Sequence, residues 1–318
     1  KTSQHLYFTR DDLRFATNEL VAAYRAKRLT CDTLIEIGAG IGIQTLAFAK
    51  TCKNVIAIEI DARKTAYLAA NLKLHKITNV TIITADCLDV VNKIERADSV
   101  FCDPERSPSE DVRNIETIQP DLPNLIALYG KLTDNIAIEL PPQIQDIPFA
   151  CEREYISVNH NLNRLTIYLG ELKTSETSAV VLPGAHRLES QPAALKEARP
   201  AGRYLCEIDD AIAAARLTDQ LPGFRWTNDI GTFHTTNDTK ETKNPFWKNA
   251  YRVIASCDNE NGLIDTLRRE RIGKIVYRAN VTPADYWTQR SKIEQELTGK
   301  GEATVLISGK ERIVAERL

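Results

Sequence analysis

The fold of this chain is decided by the stretch Thr33-Leu34-Ile35-Glu36-Ile37-Gly38-Ala39-Gly40-Ile41-Gly42. Mostly apolar or β-branched residues run into three glycines at alternate positions, and apolar residues then recur with the spacing of a helix face. Glycine permits positive φ and lets a ligand lie against bare main chain. The stretch therefore predicts a buried strand, a tight turn and a helix, the arrangement that opens a nucleotide-binding α/β domain.

The spacing of the glycines indicates which nucleotide the turn suits. The dinucleotide pattern G-x-G-x-x-G would place its third glycine at position 43, which is Ile43, whereas the chain has Gly42. No Gly-Lys-Ser/Thr follows, which argues against a triphosphate-binding loop. The pattern Glu-x-Gly-x-Gly-x-Gly resembles motif I of the class I methyltransferases that use S-adenosylmethionine (SAM). A strand–helix turn without a ligand is the alternative.

Three later strands are also predicted to end in acids. Glu59 lies 21 residues after Gly38, close to the interval at which an acid meets ribose hydroxyls, although a solvated strand-end acid is the alternative. Asp86 follows the third predicted strand, where the resemblance implies a contact with the adenine amine, and Asp103 follows the fourth. The cofactor-binding candidates are Glu36, Gly38, Ala39, Gly40, Gly42, Glu59, Ile60, Asp86, Cys87 and Asp103.

The segment after the fourth strand is expected to face the methyl acceptor. Amino-methylating relatives carry Asp/Asn-Pro-Pro-aromatic here, where the acid and the proline carbonyl accept from the target amine and the aromatic ring stacks on the base. This chain has Asp103-Pro104-Glu105-Arg106, so its second proline and its aromatic residue are missing and methylation of an exocyclic amine is in doubt. The catalytic candidates are Asp103 as hydrogen-bond acceptor, Pro104, and Arg106 as a phosphate clamp or a paired loop arginine.

Composition narrows the class of protein. The 318 residues suffice for two domains, and 43% hydrophobic with 26% charged residues is an ordinary globular composition. A net charge of −2 gives no overall attraction for nucleic acid, although a local basic face remains possible. Seven cysteines without C-x-x-C spacing argue against zinc and a disulfide framework, and for a reducing cytoplasm. With no apolar run of about 20 residues and no signal-peptide pattern, we expect no membrane partner, and the cysteine spacing predicts no metal.

Periodicity divides the chain into four segments. Residues 1–30 form a helical segment, and residues 31–170 form the SAM-binding α/β domain, which ends in a hairpin. Residues 171–260 contain strands around an alanine-rich helix, which suggests a ferredoxin-like α+β module. Residues 261–318 form a last α+β module.

The second helical pattern of the first segment has a polar face with Arg25, Lys27 and Arg28. We expect this helix to pack at the edge of the sheet; a lid over the cofactor is the alternative.

Over its full length the chain resembles the uncharacterised class I methyltransferases with a C-terminal THUMP-like domain. The resemblance rests on residues 13–17 and 21–26, Glu36 to Gly42, Asp103-Pro104, residues 170–172 and 182–187, and Ile272-Gly273-Lys274. It implies a Rossmann-like sheet of seven strands in the order 3-2-1-4-5-7-6, with THUMP-like residues 261–318. THUMP domains proper deliver RNA, often tRNA, to an attached catalytic domain. A SAM-dependent methyltransferase of tRNA or rRNA is therefore implied; a small-molecule or protein methyltransferase and a non-catalytic SAM- or RNA-binding protein are the alternatives.

Contacts with RNA would need stacking rings and basic side chains. Phe101 or Tyr129 could supply the stacking. The cluster Arg268-Arg269-Arg271-Lys274 could release counterions from a phosphate backbone, although a charged run is more often a solvated helix face.

Overall fold

A computed structural model of the chain describes residues 6–9, 12, 17–104 and 115–318. It has two compact units, residues 1–190 and residues 191–318. This division differs from the predicted boundaries after residues 170 and 260, for reasons that lie in the pairing of the strands.

The first unit contains a nine-stranded sheet in the order β3-β2-β1-β4-β5-β7-β6-β8-β9. Its strands are β1 (Thr33–Ile37), β2 (Asn54–Glu59), β3 (Val80–Thr84), β4 (Ser99–Cys102), β5 (Ile136–Leu140), β6 (Glu152–Val158), β7 (Asn161–Tyr168), β8 (Thr177–Leu182) and β9 (His186–Glu189). Its helices are α1 (Glu19–Arg28), α2 (Ile43–Phe48), α3 (Ala62–Leu74), α4 (Cys87–Val90) and α5 (Leu122–Tyr129). The first seven sheet positions confirm the expected Rossmann-like order, including the antiparallel β6–β7 hairpin.

Strands β8 and β9 belong to this sheet, although the sequence analysis assigned residues 177–189 to the ferredoxin-like module of residues 171–260. β8 pairs in parallel with β6 from Arg153↔Thr177 to Val158↔Leu182. This pairing buries Val180 against the sheet and against α1. Because β8 completes that apolar cluster, the first unit ends at residue 190 instead of residue 170.

The second unit contains one seven-stranded sheet in the order β11-β12-β10-β13-β16-β15-β14. Its strands are β10 (Tyr204–Ile208), β11 (Phe224–Trp226), β12 (Phe233–Thr236), β13 (Trp247–Cys257), β14 (Ile272–Ala279), β15 (Gly301–Ser308) and β16 (Glu311–Arg317), and its helices are α6 (Asp210–Ala214), α7 (Glu260–Arg269) and α8 (Pro283–Glu294). The long strand β13 pairs with β10 on one side and β16 on the other. The two predicted modules therefore share one sheet instead of forming separate domains.

Helix α1 is capped by Asn18, whose side chain accepts from the Leu20 N–H. The sequence placed Arg25 on the polar face of this helix, yet its side chain is fully buried. Its guanidinium donates to Glu139 and to Gln44 Oε1 and lies 4.5 Å from the centre of the Phe101 ring. Prediction from helical periodicity fails here because a buried carboxylate on the sheet supplies the partner that an isolated helix lacks.

A second group of buried charges lies further along α1. Arg28 pairs with Glu152 (Nη2–Oε2 2.7 Å) and with Glu154, and Arg187 of β9 reaches the same two carboxylates. Burial opposes ionisation of Glu152, but hydrogen bonds from Ser178 and from the main chain, together with Arg28, lower the pKa of Glu152 to about 2. These ion pairs join α1 to β6 and β9, so α1 is a packing helix of the unit.

We predict that Arg25→Met lowers the free energy of unfolding by up to about 3–5 kcal/mol, because it removes a fully buried cation and leaves Glu139 with Arg164 as its remaining ionic partner. Lys53→Met is the matched control, since Lys53 pairs with Asp32 at the surface, where an ion pair contributes about 0–1 kcal/mol. Urea unfolding followed by circular dichroism measures both variants. Equal losses in the two variants would show that the buried pair has no special role.

Candidate functional site

The glycine-rich turn between β1 and α2 has the left-handed backbone that its sequence predicts. Gly38, Gly40 and Gly42 have φ values of +77°, +57° and +95°. A Cβ on Gly38 would lie 2.5 Å from the carbonyl oxygen of Asp103, so only glycine fits there. A Cβ on Gly40 would meet nothing within 4 Å, so this residue presents bare main chain to open space.

Glu59 holds this turn in place. Its side chain is buried at the carboxyl end of β2, and its Oε2 accepts from the Gly40 N–H at 2.8 Å. Its Oε1 accepts from the Asp61 N–H at 3.0 Å. Each carboxylate oxygen has a further lone pair, so Glu59 retains the capacity to accept from ligand hydroxyls.

The other acids lie at the ends of neighbouring strands. The Asp103 N–H donates to the Ile37 carbonyl at 3.0 Å, which fixes Asp103 beside the turn, and Pro104 follows it as a buried residue. Asp86 is half-buried and caps α4 by accepting from the Leu88 N–H at 2.9 Å. The order β3-β2-β1-β4 therefore brings the predicted acids to one edge of the sheet.

Two apolar candidates have contrasting environments. Ile60 directly follows Glu59 and is 64% exposed, which leaves its side chain available to cover a flat ligand. Cys87 is buried, and its carbonyl accepts from the Tyr129 hydroxyl at 2.9 Å. Burial raises the pKa of the Cys87 thiol to about 11, which excludes a thiolate role at neutral pH.

Glu36 is the most unusual acid of the site. It is 1% exposed, and its Oε2 has no hydrogen-bond partner among the described residues. Burial is the main cause that raises the pKa of Glu36 to about 8. The sequence predicted its place at the site, but a strand pattern contains no signal that a carboxylate within it is without a partner.

The structure corrects the stacking candidates. Phe101 and Tyr129 are both fully buried, Phe101 beneath the Arg25 guanidinium and Tyr129 against the Cys87 carbonyl. Neither ring can therefore stack on a base. The catalytic candidate Arg106 and its neighbour Glu105 lie outside the described residues.

The bare main chain and the hydrogen-bond acceptors at this edge fit an adenosyl cofactor. The space beside Gly40 is open, since a Cβ there would meet no atom within 4 Å. Glu59 offers carboxylate acceptors, and the buried Oε2 of Glu36 has no hydrogen-bond partner among the described residues. No cluster of three or more His, Cys, Asp or Glu side chains suited to a metal ion occurs among the described residues. Within the same residues, none of the helices is both long and apolar enough to span a membrane.

Comparison with known proteins gives partial matches in sequence. Residues 14–146, less than half of the chain, match the family model Ribosomal RNA adenine dimethylase. The protein named Probable ribosomal RNA small subunit methyltransferase A, of Methanosphaera stadtmanae, is 48% identical over 59 residues, which are 19% of this chain and 22% of that protein. Ribosomal RNA small subunit methyltransferase A of Wigglesworthia glossinidia brevipalpis is 33% identical over 103 residues, 32% of this chain and 37% of that protein. The chain thus spans well under half the length of these relatives.

One solved structure is similar over almost the whole chain. The crystal structure of a proposed methyltransferase from Porphyromonas gingivalis W83 matches with a TM-score of 0.75 at 17% identity, and covers 98% of this chain and 83% of that one. At this identity the similarity shows the fold alone. Both units of the chain therefore have a counterpart in the fold of that protein.

We predict that alanine at two glycines of the turn has unequal effects on stability. Gly40→Ala should cost about 1–2 kcal/mol, the strain of a left-handed alanine, because its Cβ meets open space. Gly38→Ala should cost clearly more, because its Cβ also clashes with the Asp103 carbonyl. Chemical denaturation compares the two variants, and an equal cost would contradict the close packing of the turn on Asp103.

Proposed function

We propose that this chain is a SAM-dependent methyltransferase that acts on RNA. The observation that carries the proposal is the bare main chain at Gly40, held by Glu59 and placed beside Asp103 at the carboxyl edge of the sheet. Ligands of doubly wound sheets bind at this edge. The match of residues 14–146 to an rRNA methyltransferase family supports the same conclusion.

Each residue at the carboxyl edge of the sheet is assigned one contact with the cofactor or with the methyl acceptor. Bound SAM supplies an electrophilic methyl group on a sulfonium. Gly40 would let the cofactor lie against the main chain, Glu59 would accept from its ribose hydroxyls, and the exposed Ile60 would cover the adenine. Asp86 accepts from the adenine amine. Asp103, with the carbonyl of Pro104, would accept a hydrogen bond from the methyl acceptor and so orient it toward the methyl group.

The assignment of RNA rests on the relatives, whose names specify ribosomal RNA. The predicted basic cluster gives weaker support, because Arg268 pairs with Glu296 and Arg269 pairs with Glu270. Arg271 remains at the surface. We infer that residues 191–318, the unit that contains the segment with the THUMP-like resemblance (residues 261–318), contact the RNA, and that the reaction takes place in the cytoplasm.

A small-molecule or protein substrate is the second candidate. The observation that favours it is the segment after Asp103-Pro104, which lacks the second proline and the aromatic residue of base-amine methyltransferases. The buried state of Phe101 and Tyr129 removes two other rings that could have stacked on a base. The absence of that proline and that aromatic residue is also consistent with a protein that binds SAM without catalysing a reaction.

Transfer of tritiated methyl groups from SAM to unmodified ribosomal RNA, bulk tRNA and cell protein tests the proposal. We expect RNase-sensitive incorporation that falls about 100-fold in Asp103→Ala, because the acceptor loses its hydrogen-bond partner. Asp89→Ala, an exposed acid on α4, is the matched control and should retain full activity. Incorporation that only protease removes would indicate the second candidate.

Calorimetry separates a binding defect from a catalytic one. Gly40→Ala should fold but lose most of its affinity for SAM, because the new methyl group occupies the open space of the turn. Wild-type protein that binds NAD but not SAM would refute the assignment of the cofactor.

A further inference from the structure

Glu36 is a buried acid that has no cation bound to it among the described residues. It lies in β1, two residues before Gly38, and is the register partner of Ala57 in β2 and Phe101 in β4. It therefore shares the sheet face of Glu59, which lies two residues beyond Ala57. An ionised carboxylate at 1% exposure needs a partner, and Glu36 Oε2 has none among the described residues.

Charged groups face Glu36 from three neighbouring elements. Arg25 of α1 is the nearby cation, but its guanidinium already donates to Glu139 and to Gln44 Oε1. Asp103 and Glu59 contribute negative charge from the ends of β4 and β2. Two acids and one arginine that is engaged elsewhere leave the ionised form of Glu36 with only partial compensation.

The pKa of Glu36 agrees with this geometry. Burial is the largest cause that raises it, and it is raised further by Asp103 and Glu59. The Thr45 hydroxyl and Arg25 oppose the shift, and the result is a pKa of about 8. A raised pKa means that the carboxyl group binds its proton throughout the neutral range.

The SAM assigned to this edge carries an α-ammonium group, which is the kind of donor that Glu36 lacks. We propose that Glu36 is a protonated carboxylic acid in the cofactor-free protein, and that it releases its proton to solvent when the ammonium group of SAM binds beside it. The O–H bond of the acid breaks, the carboxylate accepts from the ammonium N–H, and charge is conserved. This inference rests on the proposed function.

Proton release makes the affinity for SAM depend on pH. Below the pKa of Glu36 each binding event must expel a proton, so affinity should rise up to tenfold per pH unit and level off near pH 8. An α-amino group itself titrates near about 7.7–8.0. Measurements between about pH 5.5 and pH 7 therefore isolate Glu36.

Calorimetry in two buffers of different ionisation enthalpy counts the protons. Wild-type protein should release nearly one proton per SAM bound, and Glu36→Gln should release none and bind SAM with little dependence on pH. 5′-Methylthioadenosine, which lacks the amino acid part of SAM, is the matched ligand control and should bind wild-type protein without releasing a proton.

The outcomes distinguish this inference from the function on which it rests. SAM binding to wild-type protein without proton release, or equal release with both ligands, overturns the role of Glu36 and leaves the methyltransferase proposal intact. Failure of wild-type protein to bind SAM overturns the proposed function itself. The comparison of ligands needs no variant, so it holds even where Glu36→Gln fails to fold.

A separate observation concerns two neighbouring cysteines at the amino ends of β1 and β2, away from the glycine-rich turn. Cys31 and Cys52 precede β1 and β2, and their sulfur atoms lie 3.9 Å apart. The Lys53 N–H donates to the Cys31 carbonyl, so the main chains also run side by side here. Neighbouring strands lie about 4.8 Å apart, within the Cα separation that a disulfide requires.

We infer that this pair is a site of reversible oxidation by peroxides. The sulfur of Cys52, whose pKa is lowered chiefly by its hydrogen bond with Cys31, attacks a peroxide oxygen and forms a sulfenic acid while water leaves. The half-buried Cys31 then attacks that sulfur, a second water leaves, and a disulfide joins the two residues. The closed loop contains β1, the glycine-rich turn and α2.

Mass spectrometry after treatment with hydrogen peroxide tests this site. Wild-type protein should lose two hydrogens and yield a Cys31–Cys52 peptide that dithiothreitol separates, whereas Cys31→Ser should stop at a sulfenic acid that dimedone traps. Cys206→Ser, altered at a buried cysteine of the second unit, should behave as wild type. Oxidation confined to other cysteines, or no cross-link, overturns the inference.

Discussion

The contact between α1 and the sheet depends on buried charge. Arg25 and Arg28 bring two guanidinium groups onto a face that carries Glu139, Glu152 and Glu154. Buried ion pairs contribute little net stability compared with apolar packing, but removing one partner is costly. A slide of α1 would move its two guanidinium groups away from these carboxylates, which would then keep only Arg164 and Arg187 as cationic partners. The pairs therefore favour one position of α1 on the sheet.

This arrangement has a consequence for the candidate site. Since Arg25 also donates to Glu139 and Gln44, its charge offsets only part of the cost of ionising Glu36, which lies in β1, two strands away from Glu139 in β5. Burial is the main cause of the raised pKa of Glu36, and the engagement of Arg25 with Glu139 limits how far this arginine opposes it. Arg25 thus links the packing of α1 to the proton affinity of Glu36, although burial makes the larger contribution to that affinity.

Much of the first unit could be predicted from the sequence because its signals are local. Three alternate glycines after an apolar run specify a turn, and the acids at the ends of the strands are visible without any tertiary information.

Contacts between residues that are distant in the chain were less predictable. The pattern of residues 177–182 indicates a strand, but nothing in it identifies β6 as its neighbour, and an arginine in a helix is assigned to the surface unless its carboxylate is known. Tyr129 and Phe101 were misjudged for the same reason, since aromatic residues serve cores and ligands equally well.

The second unit shows how pairing within a domain limits attraction for a polyanion. Arg278 donates to both Glu207 oxygens, at 2.5 and 2.7 Å, and Lys248 pairs with Asp210. A cation that already faces a carboxylate releases few counterions from a phosphate backbone. If RNA is the substrate, recognition by this unit must therefore depend on a small number of exposed cations and on shape, so a count of basic residues in the sequence overstates its electrostatic pull.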